Sequence, residues 1–256
     1  MKACKKLTAL LAALTMLTGT AGLPVSAEEM TGTLGDTMTW TVDGDTVRCT
    51  WESAAADGVE ISIQGDTCTI EKGVYSWEEY QEWSNAAANE LTELLEANGY
   101  DPSAMGSEEK NAAIAELMPE AYAVRTAFTG IKHIVVSDGV TQLDAPLGFL
   151  GFGDSETVQL GNSVVSIGDS TFENTHCTRI TLPDSLKIIG NQAFLNAGVK
   201  ELTIPAGVEE IGDMALETDS ALEKVTILSR DVDLTDTGLG LSLIHISEPT
   251  RLGMIS

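Results

Sequence analysis

Positive charge is what this chain has least of. Its 256 residues carry 14 Lys and Arg against 39 Asp and Glu, a formal net charge of −25. A phosphate backbone needs a basic footprint, so nucleic acid is excluded as a partner. Aromatic residues make up only 5% and histidines number 3. The motifs of hydrolytic, phosphate-binding and redox sites are missing too: there is no GxSxG, HExxH, phosphate loop or CxxC. No cofactor or metal-ligand set is therefore expected. Asp43-Gly44-Asp45 lacks the remaining ligands of a calcium loop and reads as a turn. The charge excess itself reads as solvated surface, which favours solubility and keeps a protein off anionic membranes.

Long apolar runs are also scarce. The only one near the start, Leu7 to Leu17, is too short to span a bilayer. It follows Lys2, Lys5 and Lys6 and precedes the small-residue site Val25-Ser26-Ala27. Residues 1–27 thus read as a secretory signal peptide. Three cysteines follow it, Cys49, Cys68 and Cys177. An odd number does not close into a disulfide framework. Three free thiols and a Cys49–Cys68 bridge both remain open. The far end, Leu241 to Ser256, resembles the conceptual translation of a transposase-type sequencing adapter. It is expected to be a non-native tail, left out of the fold assignment, with the natural chain continuing past about Gly240.

Between these ends the pattern changes twice. Residues 28–72 alternate in polarity through MTWTV, TVRCTW, VEISIQ and TCTIE, with Asp43-Gly44 and Gly65-Asp66 as turns, which predicts a small antiparallel β unit. Residues 73–128 read as a helical segment. Ser76 and Glu79 form a capping box ahead of Trp77, Tyr80, Ala87, Leu91 and Leu94 at helical spacing, and Asn98-Gly99 stops the helix. A second helix begins near Ser107 and is ended or kinked by Pro119. The stripe Trp77, Tyr80, Trp83 reads as core in preference to a carbohydrate platform.

From residue 129 to 240 the chain repeats itself. Thr157-Val-Gln-Leu160, Arg179-Ile-Thr-Leu182 and Glu201-Leu-Thr-Ile204 stand 22 residues apart. So do Val164, Leu186 and Val208, and likewise Ile167-Gly168, Ile189-Gly190 and Ile211-Gly212. A looser copy precedes these three and another follows. Periods of this size signal a solenoid, in which one unit cannot bury its apolar face without neighbours. Each copy supplies a short strand with one apolar face, and successive strands stack in parallel into a ribbon. The Ile-Gly pairs are expected to turn the chain, and Phe172 and Phe194 to fill the far side.

These columns resemble the BspA-like leucine-rich repeat of bacterial surface proteins, over roughly residues 129–240. TGTLGDTMTWTV, residues 31–42, is similar to a segment found ahead of such repeats in secreted proteins of gut anaerobes. The resulting fold class is an α+β N-terminal region followed by a leucine-rich-repeat solenoid with a parallel β-ribbon. The resemblance implies an exported, non-catalytic binding or adhesion protein, secreted or held at the cell surface. Some relatives end in dockerin or wall-attachment modules. An alternative is therefore an accessory subunit of an extracellular polysaccharide-degrading assembly.

The candidate binding surface is the exposed strand face: Thr157, Gln159, Arg179, Thr181, Glu201, Thr203, Lys224 and Thr226. Solenoids commonly bind on such ribbons, and a protein or glycan ligand is expected here. The competing reading is structural. Arg179, Glu201 and Lys224 alternate in sign and could pair across strands, and threonine suits a solvated strand. His133 falls on the same face. His176 and Cys177 are adjacent in the chain and point apart, so they form no joint site. The intact protein is expected to be monomeric, without a membrane span.

Overall fold

The computed structural model describes residues 30–35, 37–53, 57–148, 152–217, 222–230, 232–239 and 244–246. The leader expected at residues 1–27 lies outside them. Alternating polarity produces five antiparallel strands: β1 (Met30–Leu34), β2 (Met38–Asp43), β3 (Thr46–Trp51), β4 (Gly58–Gln64) and β5 (Thr67–Val74). The inward residues of β2 to β5, among them Trp40, Val47, Cys49, Ile61, Cys68 and Ile70, are buried. Gly58 is required by its backbone. Its φ is +76°, and a Cβ there would overlap the Trp51 carbonyl oxygen.

Helix α1 (Trp77–Ala97) begins at the expected capping box: the Glu79 N–H donates to the Ser76 Oγ, and the Ser76 N–H donates back to the Glu79 carboxylate. Helix α2 (Ser107–Leu117) follows. Pro119 does more than end it. It occupies the first turn of a third helix, α3 (Pro119–Thr129), where a missing N–H costs nothing. Leu95, Ala113 and Ile114 form a small core of their own between these helices.

The solenoid then starts. Its main ribbon comprises β6 (His133–Val136), β8 (Thr157–Gln159), β10 (Arg179–Thr181), β12 (Glu201–Ile204) and β14 (Lys224–Ile227). The β6–β8, β8–β10 and β12–β14 pairs are parallel. Between β10 and β12 the hydrogen-bonded ladder is interrupted, so the ribbon runs in two segments. At that seam the Cys177 thiol donates to the Arg179 carbonyl at 3.1 Å.

The Ile-Gly pairs do not simply turn the chain. Ile167, Ile189 and Ile211 belong to a second parallel ribbon: β7 (Gln142–Leu143), β9 (Ser166–Ile167), β11 (Ile188–Ile189) and β13 (Glu210–Ile211). The glycines that follow allow the turns to nest. A Cβ on Gly190 or Gly212 would lie 2.5 to 2.6 Å from the Asp169 or Asn191 side chain of the preceding turn. Beyond this ribbon, Phe172 and Phe194 stack with centroids 5.3 Å apart and planes 11° from parallel.

The solenoid is not set apart from the N-terminal strands. β5 pairs with β6 in parallel, Thr67 opposite His133 and Ile70 opposite Val136, so one eight-stranded sheet runs from β1 to β10. One apolar core follows it from Met38 to Ile227. Within the segment read as adapter-derived, β15 (Ile244–Ile246) pairs in parallel with β14. An unpaired strand edge takes up a segment of strand-forming composition, and Ile-His-Ile is one. Residues 241–243 and 247–256 lie outside the described chain.

Candidate binding surface

Strand geometry selects the surface. In β8, β10, β12 and β14 the buried positions are Val158, Ile180, Leu202 with Ile204, and Val225 with Ile227. Their neighbours Thr157, Gln159, Arg179, Thr181, Glu201, Thr203, Lys224 and Thr226 all point outward, exposed or half-exposed. The register places Arg179 beside Thr157 and Thr181 beside Gln159. It places Glu201 beside Lys224 and Thr203 beside Thr226. The seam between β10 and β12 divides the eight into these two groups.

The charged column does not neutralise itself. Among the described residues, none of Arg179, Glu201 and Lys224 closes an ion pair within 4.0 Å. Ion pairs do form near the ribbon, between Lys132 and Glu156 at 3.4 Å and between Lys187 and Glu209 at 2.8 Å. Sequence reasoning missed one link on the face: His133 Nδ1 lies 2.8 Å from Thr157 Oγ1, which ties β6 to β8 through side chains. The 24-residue offset of the looser first copy hid that column match.

The other candidates disperse. Trp83 packs edge-on against Trp51 and donates its Nε1–H to the Leu34 carbonyl at 2.9 Å. Tyr80 packs against the core, while Trp77 is 42% exposed and stacks on Tyr80. The stripe is therefore core at one end and surface at the other, not a flat platform. His176 Nδ1 lies 2.6 Å from the Gly153 carbonyl oxygen, while Cys177 is buried.

All three described cysteines are free and buried. Cys49 stands opposite Ile61 and Cys68 opposite Ile63, with β4 between them. Two interstrand steps separate them by roughly 9.6 Å, beyond the reach of a disulfide. Burial pushes the Cys49 thiol up to about 12 and the Cys177 thiol up to about 11. Cys68 is raised as well, by burial first and then by the neighbouring Cys49. None of these three thiols is thus poised as a nucleophile. Among the described residues no group of three or more His, Cys, Asp and Glu could hold a metal ion. No described helix is long and apolar enough to cross a membrane.

Stacked parallel turns with an exposed ribbon define a leucine-rich-repeat solenoid, a class of repeat protein that works through its surface. The family model described as "BspA type Leucine rich repeat region" matches residues 126–237 in 6 copies. Residues 126–237 are thus a BspA-type leucine-rich-repeat region. Its repeats support an interaction role. The crystal structure of a leucine-rich repeat protein from Eubacterium ventriosum ATCC 27560 is similar at 14% identity and a TM-score of 0.44, covering 74% of this chain. The match spans 40% of that structure's own length. No curated protein matches the sequence.

Proposed function

We propose that this is a secreted or cell-surface binding protein, non-catalytic, that acts in adhesion through the exposed face of its main ribbon. One observation carries the reading: Arg179, Glu201 and Lys224 alternate in sign on an exposed face, and among the described residues none of them closes an ion pair. Charges spent on holding neighbouring strands together would be paired; charges left open are available to a partner. The basic start, short apolar run and small-residue site of residues 1–27 support export.

The test is binding of the purified protein to an immobilised panel of extracellular matrix proteins and polysaccharides. The triple variant Arg179→Ala, Glu201→Ala, Lys224→Ala should fold normally and lose the interaction. Equal binding by the variant would move the interaction off this face.

A further inference from the structure

The first strand of the sheet has one open side. β1 pairs with β2 without interruption, from Met30 opposite Val42 to Leu34 opposite Met38, and among the described residues no strand lies on its other side. The other gaps in pairing are closed. β15 covers the edge of β14, and at the seam the turns carrying β10 and β12 are bonded to each other, the Gly198 N–H donating to the Thr175 carbonyl at 2.9 Å. A bare edge invites another strand, and proteins usually blunt one with a charge, a proline or a bulge. β1 reads Met-Thr-Gly-Thr-Leu and has none of these.

Its side chains leave the edge unguarded on both faces. Thr31 and Thr33 point outward and are exposed. Met30 and Leu34 stand on the inner face and pack against the main core, yet are only partly buried. Gly32 between them lies flat on Trp40, and a Cβ there would overlap the indole ring. The apolar layer therefore runs out to the edge with no side chain at its centre to wall it off.

The order of these residues selects the occupant. It is symmetric about Gly32: apolar, threonine, glycine, threonine, apolar. Turned antiparallel against a second β1, the strand sets Thr31 opposite Thr33 on the outer face and Met30 opposite Leu34 on the inner one. Each pair occurs twice about a two-fold axis at Gly32. Cross-strand threonine pairs stabilise a sheet, and the apolar pairs cover what each copy leaves open. The chain's own start does not compete for the place. Once the leader read in residues 1–27 is removed, only Glu28 and Glu29 precede β1, too few to fold back along it.

We propose that two copies of this protein join edge to edge through β1, antiparallel about Gly32. The two-fold axis is normal to the sheet at the joint, so both outward faces look the same way and two ribbons engage one surface together. A joint of five residues a side is small beside a standard interface of roughly 1,600 Å², so the pairing is weak and builds at high local concentration. This dimer replaces the monomer expected from the sequence. β1 itself carries no charge, while the copies are strongly acidic and Glu28, Glu29 and Asp36 flank the strand. Added salt screens that repulsion and should strengthen the dimer, the reverse of an ion-paired interface.

The test is sedimentation of the processed chain, beginning at Glu28, over a rising concentration series. Its mass should climb towards that of two copies, and more steeply in added salt. Thr31→Lys with Thr33→Lys sets lysine opposite lysine and should weaken the dimer about tenfold, with thermal unfolding unchanged. Thr31→Glu with Thr33→Glu should do the same, and the two variants mixed in equal amounts should pair again. On oxidation, Thr31→Cys with Thr33→Cys should give a disulfide-linked dimer, and Thr33→Cys alone should not. A chain that stays monomeric at every concentration and salt overturns the proposal, as does undiminished association of both charged variants. Failure of the mixture to pair, or equal cross-linking through the single cysteine, overturns the antiparallel register about Gly32.

Discussion

Asp169 accepts the backbone N–H of Asn191 on its Oδ1 at 2.7 Å, one full repeat further along the chain. Asn191 passes the arrangement on. Its Oδ1 accepts the Asp213 N–H at 2.9 Å, and its Nδ2 donates to Asp169 Oδ2 at 3.3 Å. Each turn is thus capped by the side chain of the turn before it. Asn191→Ala removes both side-chain bonds and should cost about 1–2 kcal/mol, read as a lower urea midpoint at constant m. Asn191→Asp keeps the acceptor but sets a third carboxylate between Asp169 and Asp213. Its loss should be larger at neutral pH than near pH 4, where carboxylates begin to protonate (about 3.9).

The Phe172–Phe194 stack makes a second prediction. Both rings are buried, and the third copy places Leu216 in the same column. Phe194→Ala should cost about 3–5 kcal/mol through the cavity it leaves. Phe194→Leu imitates the residue that the next turn already accommodates, so its loss in thermal unfolding should be clearly smaller.

The turns beyond the second ribbon hold non-glycine residues in the left-handed region. Ser170, Gln192 and Met214 have φ values of 54°, 56° and 53°. That conformation costs a non-glycine residue roughly 1–2 kcal/mol, less for asparagine. Met214 is 41% exposed, so little packing is lost on replacing it. Met214→Asn should raise the melting temperature, and Met214→Val should lower it.

The buried thiols predict an alkaline limit. Folded-state values of about 12 for Cys49 and about 11 for Cys177 lie above the unfolded value near 8.5. The native protein therefore holds these protons after the unfolded chain has released them. Their contribution is complete below about pH 8.5 and declines as pH rises towards the folded values. Stability measured by denaturant should fall over this range, and Cys177→Ser should change the slope. At about pH 8 an aromatic disulfide reagent should leave Cys49, Cys68 and Cys177 unmodified in the native protein and titrate them on unfolding.

Legibility in the sequence followed the range of the interactions. Alternation of Cys49 with Val47 and Trp51 is local, so strands β2 to β5 could be read directly. The repeat columns displayed Ile180, Leu202 and their outward neighbours because periodicity substitutes for long-range contacts. Helix α3 stayed hidden because Pro119 reads equally as the end of one helix and the start of another. The second ribbon stayed hidden because its two-residue strands are too short to alternate. The match of Thr69 to Val135 was invisible for a different reason: the two are brought together across the whole helical segment, and no local pattern encodes that register. The outward columns of the solenoid were therefore readable, and their continuation into the hairpins was not.

The β5–β6 pairing gives the ribbon a fixed zero. Because β5 already occupies the near edge of β6, extra turns cannot be stacked on that side. Gain or loss of repeats changes the array only away from the hairpins, by about 4.8 Å per turn. Repeat number then works as a graduated scale: it sets how far the protein reaches from its hairpins while every existing turn keeps its place.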